Sequence, residues 1–354
     1  MKKYTSFNPG KTWYDTDGNR IQAHGGSVLF HDGKFWWVGE NKEKSISERQ
    51  IWHWGVRLYS SEDLYNWKSE GIILPPTPDD TQSPLHPLSK MDRPHIIYNE
   101  KNGQFVMWIK IMAKTEQYMV IAVCDKINGQ YTLIGEVRPG GFSSGDFDLV
   151  KDEDNGKAYI VFEKVHTSMI VMELNDDYTD VVGTYTEHFY YGRPPFVREA
   201  PAVFKRNRKW YMFTSGTTAK YPNPTESAVA DDMNGPWTEL GISHIDDVKR
   251  TSFDSQISTV IKIPGKDMYI AAADRWLVDL PDDMPDMVAV FDTWFDPDKE
   301  DLIPKNTTLT NKPTAFAQYV WLPVEFDRDG TPRLRWYDEW RIEDFIKDNQ
   351  SEMV

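Results

Sequence analysis

Four short phrases carrying a carboxylate or an amide recur along the chain, each at or just before an apolar, strand-like run. They are Met91-Asp92-Arg93-Pro94, Ser144-Gly145-Asp146-Phe147, Arg198-Glu199-Ala200-Pro201 and Phe253-Asp254-Ser255-Gln256. Carboxylates brought together repel, and each raises the pKa of the other. A chain that gathers them holds one protonated beside another that is ionised. Hydrolysis of a glycosidic bond needs that division: one carboxyl donates a proton to the leaving oxygen, and a second group activates water or attacks the sugar. Any one of these residues alone reads equally well as a surface turn. Their recurrence in phase with a structural repeat argues for a shared site.

The repeat is a strand, a tight polar turn and an aromatic strand. It runs first as Ser27-Val28-Leu29-Phe30, His31-Asp32-Gly33-Lys34 and Phe35-Trp36-Trp37-Val38. It returns around Asn102-Gly103, Asn155-Gly156, Phe204 to Trp210 and Gly265-Lys266. The Asp-Gly and Asn-Gly pairs suit the positive φ of tight hairpins. A further strand and an outer strand follow each hairpin, the outer one marked by Trp67…Gly71 and Trp237…Gly241. Five units spaced roughly 50–70 residues apart predict an all-β, five-bladed β-propeller, with the catalytic pocket at its axial channel. A two-sheet sandwich is the structural alternative. No linker-like composition separates the copies, so residues 1–354 read as one domain with a short helical tail at about 341–354. The Pro-rich stretch Leu74 to Pro87 reads as a functional loop at the propeller face.

Composition narrows the chemistry. The 354 residues carry 55 acidic and 40 basic side chains, a formal charge of −15. That balance argues against a partner held by its phosphate backbone and leaves a neutral carbohydrate as a fitting one. Cys124 is the single cysteine, which excludes an intramolecular disulfide and a Cys-based zinc site. There is no Gly-x-Gly-x-x-Gly, P-loop, His-Glu-x-x-His or Gly-x-Ser-x-Gly. No run approaches the ~20 apolar residues of a membrane span. The start lacks a signal-peptide pattern, so the chain as written reads as cytoplasmic; a trimmed secreted form reads the same.

From Asn8-Pro9-Gly10 to about Trp340 the chain resembles glycoside hydrolase family 43, and within it the branch of exo-β-1,3-galactanases. The phrases that carry the resemblance include Gln22-Ala23-His24-Gly25-Gly26, Gly39-Glu40-Asn41-Lys42, Ser60-Ser61-Glu62-Asp63-Leu64-Tyr65-Asn66-Trp67, Arg198-Glu199-Ala200-Pro201-Ala202, Asp274-Arg275-Trp276 and Trp336-Tyr337-Asp338-Glu339-Trp340. The resemblance implies an inverting mechanism with Glu199 as general acid and Asp146 as the carboxylate that tunes and orients it. The usual base, an Asp on the first inner strand, is replaced here by His24-Gly25-Gly26. The branch shares that gap, and there a Gln at the place of Gln256 holds the attacking water; Asp92, where the branch has a Glu, is the second candidate. Glu40, Tyr118 and Thr217 fall where the branch contacts the sugar. Gly145 replaces an Arg that often precedes the tuning Asp, and Asp92 is one methylene shorter than the Glu. Both departures bear on which sugar fits.

Trp36, Trp37, Trp108 and Trp210 read as core between blades. Trp52, Trp54 and Trp276 lie in polar, loop-like sequence, where an indole suits the apolar face of a sugar; Arg275 joins them as a candidate contact. His24 reads either as a satisfied core histidine or, by resemblance, as a holder of a structural calcium; no metal or other cofactor is required by the chemistry. The expected reaction is exo-hydrolysis of galactose from β-1,3-galactan or its oligosaccharides. The alternatives are an α-L-arabinofuranosidase or β-xylosidase of the same family, and a non-catalytic sugar-binding propeller. The oligomeric state is left open by the sequence.

Overall fold

A computed structural model describes residues 3–46, 51–305, 307 and 313–346. Twenty strands form five antiparallel sheets, each taking its four strands in chain order from the axis outward. Blade one is β1 (His24–His31), β2 (Lys34–Glu40), β3 (Val56–Ser61) and β4 (Lys68–Leu74). Blade two is β5 (Lys90–Asn99), β6 (Gln104–Met112), β7 (Gln117–Cys124) and β8 (Thr132–Val137). Blade three is β9 (Ser144–Lys151), β10 (Ala158–Lys164), β11 (Ser168–Leu174) and β12 (Val181–His188). Blade four is β13 (Arg198–Arg206), β14 (Lys209–Gly216), β15 (Glu226–Ala230) and β16 (Thr238–Ile242). Blade five is β17 (Gln256–Lys262), β18 (Tyr269–Arg275), β19 (Gln318–Phe326) and β20 (Pro332–Leu334). The innermost strands touch in cyclic order, β17 meeting β1, so the sheets form the expected propeller.

The inner hairpins close as their turn residues dictate. Asp32 and Gly33 both take positive φ, 49° and 74°, a pairing that matches the right-handed twist of the flanking strands. Each seam between blades has its own apolar cluster. Trp108 packs with Phe147 and Phe162 between blades two and three, and Trp210 with Val161 and Met169 between three and four. Asp148 ties three blades at once: it accepts from the Val203 amide at 2.8 Å and faces His95 Nδ1 at 3.1 Å.

The ring closes without exchange of a strand between its first and last blades. Aromatic side chains fill that seam instead. Trp37 on β2 lies with its ring centroid 4.7 Å from that of Trp321 and 4.6 Å from that of Tyr319, both on β19. The chain termini add to it: Phe7 and Trp340 exchange backbone hydrogen bonds at 2.9 and 3.1 Å, and their rings pack in a tilted contact, centroids 4.5 Å apart, against the same cluster.

One local expectation is corrected. A helix missed in the sequence, α1 (Met287–Phe295), lies in the long connection between β18 and β19. Its apolar Val288-Ala289-Val290-Phe291 reads as a strand, but Asp286 caps it, accepting from the amides of Val288 and Ala289 at 2.9 and 3.3 Å. Met287, Val290 and Phe291 then share one buried face. Of the expected helical tail at about 341–354, the described residues 341–346 hold one 3-10 turn at Ile342–Phe345; positions 347–354 lie outside the described residues.

Candidate active site

Each innermost strand is broken by a one-residue irregularity at its channel end. On β1, β5 and β13 the paired positions advance by three while the partner strand advances by two, between His24 and Ser27, Asp92 and His95, and Glu199 and Ala202. The residue after each site position takes positive φ: Gly25 at 58°, Arg93 at 52° and Ala200 at 51°. Such bulges turn a side chain off the sheet, here toward the axis. A non-glycine residue in that conformation is strained, and the surrounding pairings hold it. On β9 the irregularity lies between Ser144 and Phe147 and presents Asp146; on β17 it follows Gln256.

The second strands supply the partners. Glu40 ends β2, Lys110 lies on β6, Glu163 on β10, Ser215 on β14 and Asp274 on β18, each beside the inner-strand irregularity. Asp146 is clamped by two cations: Lys110 Nζ reaches Oδ1 at 2.6 Å and Arg93 Nε reaches Oδ2 at 2.9 Å. Burial alone would raise its pKa, but Arg93 and Lys110 outweigh burial and hold it well below the usual carboxylate range. Glu199 stands in the opposite condition. Burial first, then the neighbouring charges of Asp146 and Glu163, push its carboxyl well above the ordinary value.

Gln256 joins the two halves of the cluster. Its Nε2 donates to Glu199 Oε1 at 3.2 Å and to Ser215 Oγ at 2.8 Å. Its Oε1 accepts from Arg93 at 2.6 Å and from Trp276 Nε1 at 3.2 Å. Asp92 accepts from Trp52 Nε1 at 2.8 Å, and its other oxygen lies 3.4 Å from Lys110 Nζ. Glu40 is buried 2.7 Å from Lys42 Nζ and accepts from the Arg93 amide at 3.1 Å. Burial, opposed by Lys42, pushes it up to about 7. Its carboxylate lies under Gly25, where a Cβ would stand 2.7 Å from Oε1.

The other sequence candidates divide. Trp276 edges over Gly25 and, with Ser215, Tyr221, Asp254, Gln256 and Asp274, lines a small cleft. Thr217 is buried with its hydroxyl donated to the Val197 carbonyl at 2.7 Å. Trp54 lies under the Lys44 ammonium, 3.4 Å from its ring centroid. Tyr118 lies on β7 beneath Arg138, outside the hydrogen-bonded cluster. Arg275 turns away from the channel: it donates to the Phe253 carbonyl at 2.8 Å and lies over Trp336. Consecutive strand residues face opposite sides, and its neighbours Asp274 and Trp276 take the channel side.

His24 is fully buried, its Nδ1 3.1 Å from Asp274 and its Nε2 3.2 Å from Gln22 Oε1. Both ring nitrogens of His24 are thus engaged by protein side chains. Among described residues no group of three or more His, Cys, Asp or Glu side chains is placed to hold a metal, and no helix is long and apolar enough to cross a membrane.

Comparison with known proteins bears on this arrangement directly. The profile described as "Glycosyl hydrolases family 43" matches residues 44–245. The chain belongs to glycoside hydrolase family 43. A family 43 β-1,3-galactosidase of known structure is 30% identical over 97% of this chain, with a TM-score of 0.78; the chain spans 65% of that protein's length. A second family 43 β-1,3-galactosidase, solved with galactodeoxynojirimycin, is 30% identical over 95% of this chain and all of its own, also at 0.78. An exo-β-1,3-galactanase from Clostridium thermocellum is 27% identical over 94% of this chain and 66% of its own, at 0.74. No curated protein matches in sequence.

Within this family 43 chain, sequence reasoning missed Arg93, Lys110, Glu163 and Asp274. A signal for three of them was present. An apolar second strand ends or nearly ends on a polar residue in Val38-Gly39-Glu40, Trp108-Ile109-Lys110, Val161-Phe162-Glu163, Phe213-Thr214-Ser215 and Ala272-Ala273-Asp274.

Proposed function

We propose that this chain is an inverting, exo-acting glycoside hydrolase that releases terminal galactose from β-1,3-linked galactan or its oligosaccharides. The observation that carries the reading is one buried cluster in which Arg93 and Lys110 clamp Asp146 while Glu199, bonded to Gln256, is pushed well above the ordinary carboxylate value by burial and by the charges of Asp146 and Glu163. Glu199 donates its proton to the leaving glycosidic oxygen as the bond to the anomeric carbon breaks. Asp146, fixed by Arg93 and Lys110, keeps Glu199 charged with that proton until the sugar is seated. Water attacks the opposite face, and the anomeric configuration inverts. Gln256 and Asp92 are the two groups able to hold that water. Gln256 does so once the sugar displaces one of its present partners, because both its donors and its acceptor are engaged. No cofactor enters any step. The two galactosidase relatives support galactose as the sugar released.

Incubation with β-1,3-galactobiose and a panel of aryl glycosides tests this reading. The expected result is galactose released first as the α-anomer, read by early-time proton NMR, and its loss in Glu199→Gln. Activity on arabinofuranosides or xylosides alone overturns the galactan assignment. Sugar binding without turnover makes the chain a carbohydrate-binding propeller instead.

A further inference from the structure

Gly145 has no conformational reason to be glycine, since its φ lies outside the positive region. Its reason is room. A Cβ at this position would stand 2.1 Å from Glu163 Oε2 and 3.0 Å from Glu163 Cδ. The carboxylate of Glu163 therefore occupies the volume that any larger residue at 145 would take. Glu163 lies across from the irregularity that presents Asp146, between the paired positions Phe147–Phe162 and Ser144–Lys164. It is 2% exposed. Its Oε1 faces His166 Nδ1 at 2.8 Å, and the His166 ring reaches the surface at 44% exposure.

We propose that Glu163 is a positioning residue of the acid pocket: admitted by Gly145 and gripped by His166, its buried carboxylate stands across from the bulge that presents Asp146 and adds a second negative charge to the site of the acid Glu199. This rests on the reading of Glu199 as the catalytic acid. The charge distribution gives Glu163 this task. The two cations of the pocket, Lys110 and Arg93, both bind Asp146. Asp146 acts on Glu199 against the opposing charges of Lys110 and Arg93, and Glu163 adds to it. Glu163 is held by His166, whose charge depends on pH; the hydrogen bond to Glu163 raises the imidazole pKa. Charged groups bearing on Glu199 are Asp146 from β9, Glu163 from β10, Lys110 from β6, Arg93 from β5 and Arg198 on its own strand. Those bearing on His166 are Glu163, Lys110 and Asp146.

The test is an infrared titration of the protonated carboxyl band that Glu199→Gln abolishes, run in wild type, Glu163→Gln and Gly145→Ala. Circular dichroism confirms that each variant folds. Removing the Glu163 charge, or displacing it with a methyl group at 145, lowers the Glu199 midpoint by about one pH unit or more. In kcat/KM on β-1,3-galactobiose, the basic limb moves to lower pH by the same amount, an about tenfold loss on its descending side. A midpoint unchanged within about 0.3 units overturns the proposal, as does an equal loss at every pH with the limb unmoved. The band reports on Glu199 without turnover. A shifted midpoint in a protein that hydrolyses no glycoside therefore retains Glu163 as the controlling carboxylate and removes the hydrolase reading alone.

Discussion

The side-chain amide of Gln256 donates to Oε1 of Glu199 across 3.2 Å, joining blade five to blade four over the channel. An inverting glycosidase separates its acid from its water-activating group by roughly 6.5–9.5 Å, leaving space for the sugar and the water. The contact is shorter than that separation, so a water-holding role for Gln256 requires the two side chains to part when sugar binds.

Parting the pair changes the environment of the Gln256 amide. Its side-chain 15N–1H resonances, assigned by their loss in Gln256→Ala, are expected to shift when the protein is saturated with galactose. Gln256→Ala should reduce kcat by about 100-fold or more, in the range of a lost positioning or polarising group, with a smaller change in KM. A larger loss in Asp92→Asn than in Gln256→Ala would move the water-holding role to Asp92.

Arg93 connects three parts of the site. It pairs with Asp146, donates to Gln256, and its own amide holds Glu40. Arg93→Met should leave a buried Asp146 with Lys110 alone. Breaking a buried ion pair by removing one partner costs about 3–5 kcal/mol, so the urea midpoint should fall together with activity. Loss of activity at unchanged stability would mean that Lys110 suffices to hold Asp146.

Glu199 also marks the pH dependence of stability. Its folded pKa lies above its unfolded value, so its contribution favours the fold at acidic pH and is lost as pH rises through the folded value. Asp146 has the opposite sign: its contribution is present at neutral pH and lost as pH falls toward its depressed folded value. Glu199→Gln removes only the first effect. The melting temperature of the variant should exceed that of wild type by more at pH 8 than at pH 5. A difference independent of pH would show that Glu199 is not held protonated.

Much of this site was legible because strand repeats impose a phase on it. Asp92, Asp146, Glu199 and Gln256 stand at equivalent points of successive units, and the structure places all four in one bonded cluster with Arg93 and Lys110. What the sequence concealed has particular causes. Lys110 and Glu163 lie near the ends of apolar strands, where a charged residue reads as turning to solvent. Arg275 could be placed only with the register of β18 known, since one residue reverses the face. The α1 segment is rich in β-branched and aromatic residues, and its helical state depends on the Asp286 cap and the apolar surface beneath it. The closing contacts of Phe7 and Trp13 join positions more than 300 residues apart, which local periodicity does not reveal.

That closure gives a stability prediction. Trp37 lies within 4.6–6.3 Å, centroid to centroid, of Trp13, Tyr59, Trp67, Tyr319 and Trp321. Trp37→Ala should cost about 3–5 kcal/mol in denaturant unfolding, the range for a large aromatic removed from a core. Trp54→Ala, on a partly exposed loop, should cost far less. Equal effects would indicate that the first and fifth blades are held mainly by other contacts.

The one-residue irregularities on the inner strands bear on how such a protein acquires new specificity. Hydrogen-bonded pairing resumes within a few residues outward of each. A change at one of these tips is therefore insulated from the sheet behind it. Five separately replaceable positions converge on one site, so selection can retune the ligand by single exchanges while the wheel that carries them keeps turning out the same shape.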